Sequence, residues 1–468
     1  MTAEQRRITL ALSVMVGLTL LVATGLTFLV SPMAESLGLS DNVVEDILVI
    51  PALAAFPVVF VAGRAGDRLG QRRTMLVASL VFTLGSAVLA CAGGQFTVML
   101  GLALCGAGAI VIQVVAVSLL QRTASEGRAH VSAFTTYGMV FPLAFLVLPI
   151  VTSALLGDVG WRWIPICWAV AGLLIALIAV LFLEPGSATL ATGEWVTPIL
   201  AGVALAAGSL SLSEIDNVEV EPWRIAIGAC IGAAAALACW LVMRRLAHPS
   251  FSLAPIRGVI MRTLMLGVVI LSLMQMLTYI CIFLEYFYDM TALQASIVVA
   301  PAQVGAVIGA KLVAKRAIGW WGVTRSGRVL MLVTGVTMLP LLAMQLGTPV
   351  WYLVIVATLF SCAGMAALTV LNIDVMGRAP ADSTGAVSSL RTAASTIGTA
   401  LGMAVLGTVI LSSVPVDAGN QQVSPLELES LAGALRTDGL LGFLAAVTGW
   451  ILLIVAARRI DSPRTANA

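Results

Sequence analysis

From Ile8 to Val30 the chain carries no charged side chain, and similar stretches recur along nearly its whole length. Each is about 20 residues long, enough to cross a ~30 Å hydrocarbon core as an α-helix. Lipid cannot satisfy a free backbone N–H or C=O, and runs this long and continuous read as helices, not barrel strands. Composition agrees: 60% of residues are hydrophobic and 10% charged, with a mean hydropathy of +1.05. A soluble domain has a very different makeup. The expected fold class is an all-α polytopic membrane protein.

Fourteen spans are expected. Six lie at 8–30, 43–62, 74–92, 96–120, 131–156 and 164–183; two follow at 196–212 and 223–243. The last six lie at 263–287, 294–313, 329–346, 351–375, 386–412 and 440–457. The apolar run after Arg6 and Arg7 has no small-residue cleavage site, so it reads as a first span that stays in place. With both termini cytoplasmic, only Arg162, Arg224 and Arg436 of the 25 basic residues fall on the outer side. Glu214, Asp216, Glu219 and Glu221 share one outer loop. This alternation sets span number and orientation together. The layout is six, two and six: a bundle at 1–184, an inserted pair with its linker at 185–262, and a second bundle at 263–468. The two bundles read as a duplication.

Enzymatic chemistry has little to stand on. The 7 cysteines all fall inside apolar runs without C-x-x-C spacing and read as small core residues. The 2 histidines, His130 and His248, lie in polar loops and make no metal cluster between them. There is no Walker loop, G-x-S-x-G elbow or H-E-x-x-H helix. No enzyme activity, cofactor, metal or nucleic-acid partner is expected, and ATP-driven pumping would need a partner chain.

Between the second and third spans runs Gly63-Arg-Ala-Gly-Asp67-Arg68-Leu-Gly70-Gln-Arg72-Arg73. Its glycines permit a tight turn and close helix approach. Asp67 stands among arginines, where it can pair locally or accept bonds from another helix's N-terminal amides. Read for charge alone, the segment is a positive-inside anchor. As the pattern G-x-x-x-D-R-x-G-x-R-R, it closely resembles the loop signature of the major facilitator superfamily, with Gln71 where an arginine or lysine is usual. Gly160-Trp161-Arg162-Trp163 resembles a segment of that superfamily's fourteen-span drug:proton antiporter branch. So does the glycine-rich span holding Gly398, Gly402 and Gly407. The stretch 301–319, with Gly305, Gly309, Lys315 and Arg316, resembles a second copy of the loop signature without its aspartate.

The resemblance implies the major-facilitator fold, two six-helix bundles plus two inserted helices, working by alternating access at the inner (plasma) membrane. It implies proton-coupled export of an amphipathic drug or metabolite, driven by the proton gradient. Three departures bear on the coupling. The branch's span-one aspartate is absent, Leu102 replaces a span-four arginine, and Leu148-Pro149-Ile-Val-Thr152-Ser153 stands in place of G-P-x-x-G-G. The gating loop comprises Gly63, Asp67, Arg68, Gly70, Arg72 and Arg73. Asp67 is expected to meet Arg122 and the start of span thirteen near residues 382–386, with Arg391 as a further partner. These contacts would tie the two bundles together in the outward-facing state.

Span nine carries Gln275, Thr278, Tyr279, Ile282, Glu285 and Tyr286 at helical spacing, read as a pocket wall. Glu285 is either a proton-coupling carboxylate or a hydrated group near the outer surface. Asp46 is a second protonation site or a helix N-terminal acid, and Asp374 is a third candidate beside Asn372. Gln113 and Gln303 would bond substrate or a neighbouring helix, and Met274, Met276 and Met365 would give an adaptable apolar lining. The expected partners are a small-molecule substrate and the bilayer, with the chain working as a monomer. Two rivals stand: a lipid or natural-product carrier without proton antiport, and a non-transporting receptor of the same fold.

Overall fold

The computed structural model describes residues 1–125, 127–185, 195–213, 222–245, 259–288, 290, 292–345, 347–380, 383–411 and 425–461. Every regular element among them is helical. The chain forms two compact units, Met1–Ser252 with Met376–Ala393, and Leu253–Val375 with Ala394–Ala468.

In the first unit α1 (Ala3–Leu37) opens with a capping box. The Thr2 hydroxyl accepts the Gln5 amide at 3.1 Å, while Gln5 Oε1 accepts the Thr2 amide at 3.0 Å. Gln5 Nε2 also donates to the Thr123 carbonyl at 3.0 Å, tying the start of α1 to the end of α4 (Gln95–Thr123). The helices α2 (Asp41–Arg68) and α3 (Gln71–Ala90) both pack on α4. Small residues let them approach: a methyl at Gly106 would fall 2.6 Å from the Pro51 carbonyl carbon. α5 (Gly127–Gly138) and α6 (Val140–Val159) are parted at Met139 and touch α1, as does α7 (Trp163–Phe182). Arg162 stacks 4.4 Å from the Trp161 ring centroid and donates to the Ala92 carbonyl at 3.1 Å, pinning the start of α7 to the end of α3. α8 (Val196–Ser213) and α9 (Pro222–Arg245) pair with each other, and α8 packs on α2.

The second unit begins with α10 (Val259–Met274) and α11 (Met276–Phe287). Next come α12 (Ala292–Val298), α13 (Ala300–Ile308), a π-helical turn at Gly309–Val313 and α14 (Ala314–Val336). A 3₁₀ turn at Leu339–Ala343 leads to α15 (Val350–Gly377), α16 (Thr384–Leu411) and α17 (Pro425–Asp461). Its core gathers Leu266, Ile270, Phe283, Met331 and Phe360. The first turns of α16 belong to the first unit and the remainder to the second.

One turn is built twice. Gly70 has φ +91° and its carbonyl accepts the Thr74 hydroxyl at 3.0 Å. Gly322 has φ +74° and its carbonyl accepts the Ser326 hydroxyl at 2.6 Å. Both glycines hold a backbone conformation that a side chain strains against. The second turn therefore lies three residues past Gly319, where the expected copy of the loop signature ended.

Among the described residues 11 helical segments are long and apolar enough to cross a membrane. Several details differ from the sequence reading. The polar stretch between the expected spans at 294–313 and 329–346 is helical apart from the kink at Gly322, because Ala314, Ala317 and Ser326 keep a buried face. Helix α17 starts at Pro425, well before residue 440, since Leu431, Ala432, Ala434 and Leu435 are all buried. Helices α10 and α11 follow one another as one apolar run, Val259–Glu285, with Gln275 between them in helical conformation; a methyl on Gly402 of α16 would stand 2.8 Å from Gln275 Cγ. His130 is not a loop residue: it is buried on α5, with Nδ1 2.9 Å from the Ala124 carbonyl. Cys91 and Cys230 are exposed and so are not core residues.

Candidate functional site

Helix α2 ends at Arg68, and the positive φ of Gly70 turns the chain sharply into α3. This leaves Asp67 in the last turn of α2, beside the C-terminal end of α4 and the N-terminal end of α16. Arg122 Nη2 donates to Asp67 Oδ1 at 2.6 Å, and the Gly385 amide donates to the same oxygen at 3.2 Å. Arg122 Nε donates to the Thr384 hydroxyl at 2.9 Å. A helix start exposes unpaired N–H groups and partial positive charge, so one carboxylate satisfies both a cation and an orphan amide.

The network extends beyond this pair. Ser118 and Thr384 hydroxyls lie 3.0 Å apart, and Gln71 Nε2 donates to Ser118 at 3.1 Å. Ser388 donates to the Val114 carbonyl at 2.7 Å. Gly63 and Gly385 meet backbone to backbone, so a methyl on either would strike the other's carbonyl. Three helices are thus locked by charge-assisted bonds at one level and glycine contact one turn away. Asp67 is mostly enclosed, its side chain 16% exposed, whereas that of Arg122 is 38% exposed.

Gly63, Asp67, Gly70 and Arg122 come together here. Arg68 and Arg72 are half-buried and Arg73 is exposed. Arg391 is aimed elsewhere: six residues beyond Gly385, about 9 Å along the helix, its guanidinium lies 5.8 Å from the Tyr137 ring centroid. Asp382 lies outside the described residues. Sequence reading passed over Gln71, noted only as a departure, and over Ser118 and Thr384. The spacing held a signal, since Ser118 is four residues before Arg122 and shares its helix face.

The second candidate set is more dispersed. Thr278 is exposed, whereas Tyr279 is buried in the second unit's core, so the two do not share one surface. Gln275 and Glu285 are half-buried. Met365 is buried on α15, and Met274 reaches the face of Gly364. Asn372 and Asp374 are half-buried, with the Thr263 hydroxyl 3.5 Å from Asp374 Oδ2. Gln113 Nε2 donates to the Thr19 hydroxyl at 3.2 Å, a bond between α4 and α1. The side chains of Asp46 and Tyr286 lie outside the described set. Sequence reading missed one carboxylate entirely: Asp438, wholly buried on α17.

Apolar helices of spanning length and a charged lock at their ends define a multi-pass membrane protein. The sequence profile of the Major Facilitator Superfamily matches residues 12–403. The chain belongs to that superfamily; it is a transporter and not an enzyme. The puromycin resistance protein pur8 of Streptomyces alboniger is 25% identical over 460 residues, covering 92% of this chain and 88% of that protein. The tetracenomycin C resistance and export protein of Streptomyces glaucescens is 25% identical over 378 residues, covering 77% and 68%. Among solved structures, the human organic anion transporter MFSD10 (TETRAN) superposes with a TM-score of 0.67 at 18% identity, covering 96% of this chain and 99% of that one. The Escherichia coli fucose:proton symporter FucP gives 0.61 at 14% identity, covering 96% and 98%. These two share the fold.

Proposed function

We propose that this transporter exports an amphipathic small molecule, a drug or a metabolite, in exchange for protons across a bacterial inner membrane. The observation that carries this reading is the likeness, over 92% of the chain, to a protein named for puromycin resistance. The lock around Asp67 supplies the moving part. Release of the first turns of α16 from α2 and α4 accompanies the inward-facing state, and re-formation accompanies the outward-facing one. The chain acts as a monomer without a cofactor, with both termini cytoplasmic.

In this reading it spans the membrane fourteen times, in blocks at 1–184, 185–262 and 263–468. Support comes from the kink at Gly322 within the 50-residue apolar run Gln294–Ala343, from the shorter apolar helix Val196–Ser211, and from the length of α16. The proton is assigned to a carboxylate among Glu285, Asp46 and Asp374. Substrate is assigned to the α10–α11 segment with Met365, Asn372 and Gln113.

A second reading, a lipid or natural-product carrier without proton antiport, is favoured by Leu102. That side chain is fully buried where the branch carries arginine, so apolar packing fills the position. Reconstitution in liposomes with a pH-sensitive dye and puromycin as first probe separates the two. Substrate-dependent proton release supports antiport, flux without release supports the carrier, and binding without flux supports a receptor.

A further inference from the structure

Asp438 takes no part in the lock or in the α10–α11 segment. It is 0% exposed, and neither carboxyl oxygen has a hydrogen-bond partner among the described residues. Leu431, Leu435, Asp438, Gly442 and Ala446 form one buried face of α17 at helical spacing. Asp438 therefore occupies a position where the pattern calls for an apolar or small residue.

Its surroundings follow from the flanking glycines. A methyl at Gly439 would stand 2.9 Å from Leu341 Cβ, and one at Gly442 would run into Met338 and come within 3.1 Å of Leu273. The residues that face these two glycines, Leu273, Met338 and Leu341, offer no side-chain donor, and neither does Leu435, one turn before Asp438 on the same buried face. Among the described residues, α10, α11, α14 and the 3₁₀ turn pack on α17. Their charged groups are distant along each helix. Arg262 precedes Leu273 by about 16 Å, and Arg328, the last charge on α14, precedes Met338 by about 15 Å; Lys315, Arg316 and Arg325 lie farther still. Glu285 follows Met276 by about 13 Å, and the 3₁₀ turn has no charge. Tyr279 is the nearest titratable group on α11, followed by Cys281. On α17 itself, Arg436 is engaged by Glu429 and by the Ala432 carbonyl.

An ionised carboxylate without water, donor or cation is among the most costly groups a protein interior can hold, whereas the neutral acid is tolerated. We propose that Asp438 is a proton-binding site enclosed in the second unit, holding its proton in this conformation and exchanging it when the surrounding helices admit water. The exchange rests on the proton-coupled reading above; the occupancy does not.

Infrared difference spectroscopy on the full-length protein in liposomes at pH 7, without substrate, tests the occupancy. The wild type minus Asp438→Asn spectrum should show the C=O stretch of one protonated carboxyl. Carboxylate bands in its place overturn the proposal. Should Asp438→Asn fail to accumulate, Asp438→Glu keeps the carboxyl and should shift the same band; an unshifted spectrum equally overturns it. The exchange is read with puromycin and a pH-sensitive dye, where Asp438→Asn should lose at least about tenfold of the wild-type proton release. Release at the wild-type rate overturns the assignment and keeps the antiport reading. A protonated carboxyl in a wild type that transports without proton release keeps the site and removes antiport.

Discussion

Gly63 and Gly385 touch through their backbones, the Cβ position of each falling on the carbonyl of the other. Nothing larger than hydrogen fits between α2 and α16 here. Gly63→Ala should therefore force the helices apart, at about 1–3 kcal/mol for overpacking a close contact. A lower thermal midpoint and a transport loss of about tenfold are expected. Unchanged stability would show that the contact opens freely.

Asp67→Asn removes the charge that both Arg122 and the start of α16 address. Substrate flux should fall about tenfold, and cysteine probes at the α2–α3 turn should become more reactive as the lock opens. A double-mutant cycle with Arg122→Gln should give a coupling of about 1 kcal/mol, held down by solvent around the half-exposed guanidinium. If both rate and reactivity match the wild type, the lock has no gating role.

Gln71 replaces a basic residue usual in the signature, and its buried amide donates to Ser118. Gln71→Leu should cost about 1 kcal/mol, the net worth of a neutral hydrogen bond. Gln71→Arg should be worse despite restoring the common residue, since it crowds a second cation against Arg122. Thermal midpoints in detergent decide the order.

The twin turns make a paired prediction. Gly70→Ala and Gly322→Ala should each cost about 1–3 kcal/mol through backbone strain, because positive φ combined with extended ψ is essentially confined to glycine. Equal losses from the two, measured by thermal unfolding, would mark them as the same device; a silent Gly322→Ala would not fit the conformation described.

Asp438→Leu should raise the thermal midpoint, worth about 1–3 kcal/mol, by removing an unsatisfied buried polar group. It should also abolish whatever proton exchange the site performs, trading activity for stability. A fall in the midpoint would mean that the carboxyl has a partner in the folded protein.

The apolar runs were readable from sequence because lipid imposes one simple rule on them, helix and length. The turn at Gly70 was equally plain, since glycines and arginines punctuate otherwise apolar sequence. Asp438 was not. An expected span beginning at residue 440 left it in a loop beside Arg436, and only tertiary packing shows that α17 begins at Pro425 and buries it. Tyr279 and Thr278 show the same limit on a smaller scale. They are adjacent in sequence and both polar, yet their burial is decided by which neighbour each one meets.

The partners of Asp67 are also separated in time. Gly385 is synthesised 318 residues after Asp67, which at ribosomal rates amounts to roughly 15–60 s. Throughout that interval the nascent first unit has its carboxylate, its arginine and a vacant glycine seat, but no α16 to fill them. The first unit is therefore complete only when most of the second has already been made.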